Sequence, residues 1–369
     1  RAASNTLLRD VNTALIIDEM YSGTNVIYAD FTDYDEIAHH SGPERVEAFE
    51  AIDGIDKAIA SLVKASADTP RPYKFIVLSD HGQSLGETFM QRYGRSLGEY
   101  IRELMGGRAT VLQTKTKAEG SAFVNAFLSE ITKSHGVGPT ITRAALAGRT
   151  TDGVVDLDDE DEPIADPSAI AVVGSGNLGL VWFTGHDHRL TVEELEELHP
   201  GLVTAVAAHP GVAMLLVRSK ASGAVVFGPR GTRFLDEDRV EGEDPTTLFG
   251  PHTIMSLKRE DAMQHAPDLL LISQYDPELG EVAAYEELIG SHGGLGGPQT
   301  EPFILHPTEW TLDEEVPLGA PSIYRNIRRW LGSVGIELGR PGAGSTSSAA
   351  PPATAGPPPT DVAASLAEG

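Results

Sequence analysis

With 369 residues and a 40% hydrophobic composition, the chain is long enough to bury a substantial core. Its 28 Lys+Arg against 54 Asp+Glu give a formal net charge of -26, which repels nucleic-acid phosphates and argues against a nucleic-acid-binding module. The absence of cysteine excludes disulfides, thiolate-bound zinc and a thiol nucleophile, and no run approaches the ~20 apolar residues that span a bilayer.

In chain order, Leu7, Leu8, Val11 and Leu15 recur at helical spacing, and Gly23 is placed to end that helix. The β-rich run Asn25 to Phe31 reads as a strand and the polar cluster Thr32 to Pro43 as the loop after it. From Pro43, the spacing of Val46, Phe49, Ile52, Ile55, Ile59 and Leu62 predicts a long amphipathic helix. Lys74 to Ser79 reads as a second buried strand, running directly into Asp80, His81 and Gly82. This strand, loop, helix, strand order implies an α/β fold with a mostly parallel sheet covered by helices on both faces, and it puts both polar clusters at the carboxyl ends of strands.

Helices are expected near Ser96 to Met105 and Ala118 to Ser134, followed by an acidic loop at Asp152 to Asp166. That loop lacks the glycine turn and terminal Glu of an EF-hand and reads as solvated. Further strands are expected at Ala169 to Val173, Leu178 to Phe183, Ala213 to Val217, Ala224 to Phe227 and Asp268 to Ile272. Composition divides the chain into a folded domain over 1–338 and a Gly/Ser/Ala/Pro-rich tail over 339–369 that is expected to be disordered.

The residues with chemical potential are Asp35 and His39, then Asp80 and His81 at the end of an apolar strand, and last His292 among glycines in Gly290-Ser291-His292-Gly293-Gly294. Alone, the first pair reads equally as a solvated turn, and a single glycine-flanked histidine carries little. His186 and His188 have the look of a metal clamp, but His199 and His209 show that this region uses histidine freely, so they are not counted.

Taken together, Asp35-x-x-x-His39-x-x-Gly42-Pro43, Ser79-Asp80-His81-Gly82 and Gly290-Ser291-His292-Gly293 resemble the alkaline phosphatase superfamily, specifically its type I phosphodiesterase/nucleotide pyrophosphatase branch. The resemblance implies a two-metal phosphoric ester hydrolase, with zinc or else manganese as the ions. Asp35, His39 and His292 would hold one ion, and Asp80 and His81 would contribute to the second, an N/O donor set that zinc accepts when thiolate is lacking. Either His39 or the adjacent His40 can face the ion; the spacing to Asp35 and to Gly42-Pro43 favours His39.

The same resemblance implies a further metal-binding aspartate and a Thr or Ser nucleophile upstream of Asp35. The 34 residues before Asp35 contain neither in the expected context, and the chain opens on Arg1. It is therefore expected to be a fragment lacking its nucleophile, inactive by itself, from a bacterial parent in which membrane-spanning helices precede this domain. The substrate class is a phosphate ester, either a small molecule or a lipid headgroup. Competing readings are a sulfatase of the same fold, disfavoured because sulfatases use oxygen-rich calcium sites, a phosphoglycerate mutase relative, and a metal-binding fragment without turnover.

Overall fold

The computed structural model describes residues 2–107, 109–113, 150–151, 154–155, 169–314 and 316–336. The chain forms two compact units, Arg1–Glu309 and Trp310–Gly369. The helix expected over Ala118 to Ser134, nearly all of the acidic loop and the tail after 338 lie outside the described residues.

The first unit opens with three helices, α1 (Ala2–Ser22), α2 (Asp33–Ser41) and α3 (Val46–Ala65). Helix α1 ends at Gly23, as expected, with φ +77° and its N–H bonded to the Met20 carbonyl at 3.1 Å. Ile16 and Met20 pack on Leu62 of α3. The run Asn25 to Phe31 is a correction to the sequence reading. Ile27 and Phe31 pack on that cluster, but the run pairs with no strand among the described residues, and an apolar pattern without a hydrogen-bonding neighbour does not make a sheet.

The expected loop at Thr32 to Pro43 is instead largely helix α2. Its first turn carries Asp33, Asp35 and Glu36 and its last turn His39 and His40, the charge order that a helix dipole favours. The face of α3 is also revised. Ala48, Ala51, Ala58 and Leu62 are buried, while Val46, Phe49 and Ile52 are exposed, because small side chains allow α3 to approach α1 and α2 closely. At Gly54 a Cβ would lie 2.3 Å from the Arg9 guanidinium, so this glycine gives Arg9 passage from α1 to Asp33 of α2, which it meets at 2.7 Å.

After α3 come the short strands β1 (Val77–Leu78) and β2 (Ser84–Leu85), then helices α4 (Phe89–Tyr93) and α5 (Leu97–Leu104). Both helices begin with capping boxes, Thr88 with Gln91 and Ser96 with Glu99, matching the helix expected near Ser96. The remaining strands are β3 (Val111–Gln113), β4 (Thr150–Thr151), β5 (Val154–Val155), β6 (Ile170–Ser175), β7 (Leu178–Phe183), β8 (Val212–Ser219), β9 (Gly223–Gly228), β10 (Gly231–Phe234), β11 (Arg239–Gly242), β12 (Leu269–Ser273), β13 (Tyr275–Asp276), β14 (Glu281–Val282), β15 (Gly290–Ser291) and β16 (Ile304–Leu305).

The fold is α/β, built on an eight-stranded mixed sheet in the order β11-β10-β9-β8-β12-β7-β6-β3 and flanked by helices. Within it β3 and β6 pair in parallel and the other described pairings are antiparallel, where the sequence reading expected a mostly parallel sheet. Short connections decide this: two residues join β6 to β7 and β9 to β10, a span that only antiparallel neighbours can bridge. The strands nevertheless read as fully apolar because both faces are covered. Leu215, Val217, Leu269 and Leu271 pack with Leu195, Val203 and Val206 of the helices Val192–Leu198 and Leu202–Ala207, whereas Met214, Leu216, Leu270 and Ile272 pack with Leu257 of the helix Thr253–Asp261.

The second unit has one described helix, Gly319–Ser333, whose buried Trp330 stacks on Trp310 at 5.4 Å and donates to the Thr311 carbonyl at 2.9 Å.

Two measurements test this packing. Arg9→Met leaves the buried Asp33 carboxylate unpaired and is expected to cost about 3 kcal/mol in denaturant unfolding, with partial recovery in Arg9→Met/Asp33→Asn; an additive double mutant would refute the pairing. His209 is boxed by Tyr100, Tyr93 and Phe89 at 4.5, 4.8 and 5.1 Å, and its Nδ1 accepts from the Gly211 N–H. Burial, then Arg95, lowers its pKa. The unfolded chain therefore takes up a proton that folded His209 resists: the stabilisation is complete above the ordinary value of about 6.5 and is lost as pH falls toward the folded-state value. His209→Asn, which keeps an acceptor near Nδ1, should lose less melting temperature than the parent between pH 7.5 and pH 5.5.

Candidate metal centre

The spacing of Asp35 and His39 acquires its meaning from α2, because residues four apart on a helix share a face. His39 is buried, and its Nδ1 donates to the Gly290 carbonyl at 2.7 Å, which turns the Nε2 lone pair toward the carboxylate. Nε2 lies 3.4 Å from Asp35 Oδ2 and 3.1 Å from His292 Nε2, and His292 Nε2 lies 3.5 Å from Asp35 Oδ1. Ligands arranged tetrahedrally at about 2.0–2.1 Å from a zinc ion are about 3.3 Å apart. Each of these contacts has the length found between two ligands of one cation, with Asp35 meeting His39 through Oδ2 and His292 through Oδ1. His40 is exposed and lies 3.6 Å from Glu36.

Burial by itself would raise the Asp35 carboxyl, but His292 and His39, when protonated at Nε2, outweigh it by hydrogen bonding and charge and hold the group far below the usual carboxylate range. The anionic form of Asp35 thus depends on positive charge beside it. The carboxylate is partly withdrawn from water and needs a positive partner.

The second pair reaches the same place through β2 and β15, which pair antiparallel with Gly290 opposite Leu85 and Ser291 opposite Ser84. That ladder joins the chain following His81 to the chain preceding His292. The two imidazoles stack at 3.6 Å with an interplanar angle of 18°, and Asp35, His81 and His292 offer ligand atoms within 4.8 Å of one another. His81 Nδ1 lies 2.9 Å from the Gly82 carbonyl, while Asp80 is exposed at the rim with Oδ1 3.5 Å from His81 Nε2. The two ligand groups expected from the sequence thus lie side by side, with His81 against His292. His186 and His188 remain outside it, on the surface beside Asp187 and Glu194.

Glycine has a steric role at two points. A Cβ at Gly82 would stand 2.1 Å from the Pro298 carbonyl, and one at Gly290 would stand 2.5 Å from the Ala38 carbonyl. The loop after His292 is fixed by the buried Gln299, which donates to Asn177 Oδ1 at 3.0 Å and to the Gly296 carbonyl at 2.8 Å and accepts from the Gly294 N–H at 3.2 Å.

Sequence reasoning did not identify Asn177 and Gln299, nor Asp30, nor Gln83, which touches Asp35. Asp30 is exposed as a residue, yet the protein packed around its carboxyl raises its pKa, and neighbouring Asp80 and then Asp35 raise it further against the opposing effect of His81. A lone acid in Tyr28-Ala29-Asp30-Phe31 carries no signal of its own; its position beside the cluster is visible only in three dimensions.

No curated protein and no solved structure gives a match. The model of the family described as type I phosphodiesterase / nucleotide pyrophosphatase matches residues 3–144, a span that contains Asp35, His39, Asp80 and His81 but not His292. The match over that segment agrees with the alkaline-phosphatase-superfamily resemblance and with the α/β architecture.

Proposed function

We propose that the chain carries the metal-holding part of a phosphoric ester hydrolase that acts on a small-molecule phosphoester or a lipid headgroup. The observation behind this reading is the convergence of Asp35, His39 and His292 donors within 3.1 to 3.5 Å, although His39 and His292 are 253 residues apart. In this proposal the Asp35 carboxylate and the Nε2 atoms of His39 and His292 bind one divalent ion, and Asp80 and His81 contribute to a second. All-N/O donors of this kind favour zinc, with manganese as the alternative. Bound ions there supply Lewis-acid polarisation of a phosphoryl oxygen and offset its charge.

The residues have distinct tasks. Gly290 orients the His39 ring through Nδ1 and keeps Nε2 free of a proton. The His81 ring lies against His292 and closes one side of the cluster. Exposed Asp80 leaves the other side open to a solvent-borne ester. In a protein of net charge -26, an anionic substrate needs a local cation to approach, and this cluster is where one would sit. The attacking Thr or Ser that the family resemblance implies is not assigned to a residue of this chain. Among the described residues, no helix is long and apolar enough to cross a membrane.

The proposal is tested by stripping the protein with a chelator, reloading it with zinc and measuring retained metal. The parent is expected to retain zinc, and His39→Ala and His292→Ala to lose it; equal retention in all three would overturn the ligand assignment. Inorganic phosphate should bind the zinc-loaded protein by calorimetry and fail to bind the stripped one, and binding independent of zinc would remove the link between this cluster and phosphoester chemistry.

A further inference from the structure

We propose that Gln83 is the positioning residue of the Asp35 carboxylate, a role that deepens the metal reading above and rests on it. Gln83 follows the Asp80-His81-Gly82 run and is 7% exposed. Its Nε2 donates to the Asp35 backbone carbonyl at 3.2 Å and also to Asp35 Oδ1, so both amide hydrogens are spent on one residue. The reversed amide would press its oxygen lone pairs against two Asp35 oxygens, which fixes the orientation. The other end of the amide confirms how closely the group is fitted. Gln83 Oε1 is buried with no hydrogen-bond partner, and a Cβ at Gly290 would lie 2.4 Å from it.

The consequence is a division of labour between the two carboxylate oxygens. Oδ1 accepts from Gln83 and faces His292 Nε2 at 3.5 Å, whereas Oδ2 faces His39 Nε2 at 3.4 Å and takes no hydrogen from Gln83. Gln83 thereby sets the rotation of the carboxylate about its own axis, which the α2 backbone cannot do. An unsatisfied buried oxygen costs stability, so a side chain chosen for packing alone would not be an amide here. Glutamate fits no better. At position 83 its carboxylate oxygens, with no hydrogen to give, would lie against the Asp35 carbonyl and Oδ1.

Cobalt(II) titration of the full chain, followed by its visible absorption, tests the proposal on the parent, His39→Ala, Gln83→Met and Gln83→Glu. The parent is expected to bind and His39→Ala to fail. Both Gln83 variants should bind about 10–100-fold more weakly, with an altered band and a melting temperature near the parent's. If Gln83→Met does not fold, Gln83→Glu, which keeps the volume, carries the comparison. Parent-like affinity and band shape in a folded Gln83 variant would overturn the positioning role while leaving the metal reading intact. No binding by the parent would overturn the metal reading and this role with it. Without any change at position 83, NMR of the parent's Gln83 side-chain amide should show protons that are shifted downfield and slow to exchange, an effect lost in Asp35→Ala. Ordinary, fast-exchanging protons in the parent would also refute the contact.

Discussion

The hydrogen bond from His39 Nδ1 to the Gly290 carbonyl is the constraint on which the rest of the centre depends. It fixes the tautomer of His39, so that the ring presents a lone pair and not a proton to Asp35 and His292. It also anchors α2 to the strand that ends at His292, at a point where only glycine fits between Ala38 and Gln83. The β2–β15 ladder extends the same contact by one step and brings the chain from His81 alongside. Three segments distant in sequence are thus held by a few backbone contacts, and the side chains follow from them.

The polar network around Gln299 supports this arrangement from the opposite side. Its amide ties the glycine-rich loop after His292 to Asn177, in the turn between β6 and β7 of the main sheet. The sheet is the rigid body of the first unit, with apolar cover on both faces. Loop residues near the centre are therefore referenced to a packed scaffold, which limits their freedom without requiring regular structure in the loop itself.

The site was more legible in the sequence than the fold around it. Asp35, His39, Asp80, His81 and His292 stand out through the family resemblance of their three motifs, and the structure brings Asp35, His39, His81 and His292 together with Asp80 exposed at the rim. Gln83 and Asp30 do not stand out, since their roles depend on what lies across from them and not on any neighbour in sequence. Most later strands are legible because their runs are largely apolar: β8 and β12 are buried on both faces, whereas β6 and β7 alternate buried and half-buried positions. Their direction is not: the strand, loop, helix, strand order at the start of the chain implies a parallel sheet, and the short connections between later strands select antiparallel pairing. Helix α2 was taken for a loop because its polar residues show little apolar periodicity, although its charge order favours a helix. On α3 the large apolar residues were assigned to the core, but close helix packing selected the alanines.

The bond between His39 and Gly290 spans 251 positions of the chain. Closing so long a loop costs conformational entropy that grows only logarithmically with length, but it must be met before the contact exists. Helix α2 can form locally and bring Asp35 and His39 together by itself; His292 cannot join them until the intervening sheet has folded. The three-donor centre is accordingly a late product of folding, a report on the completion of the whole first unit, and any partly folded form of this unit would display half of it.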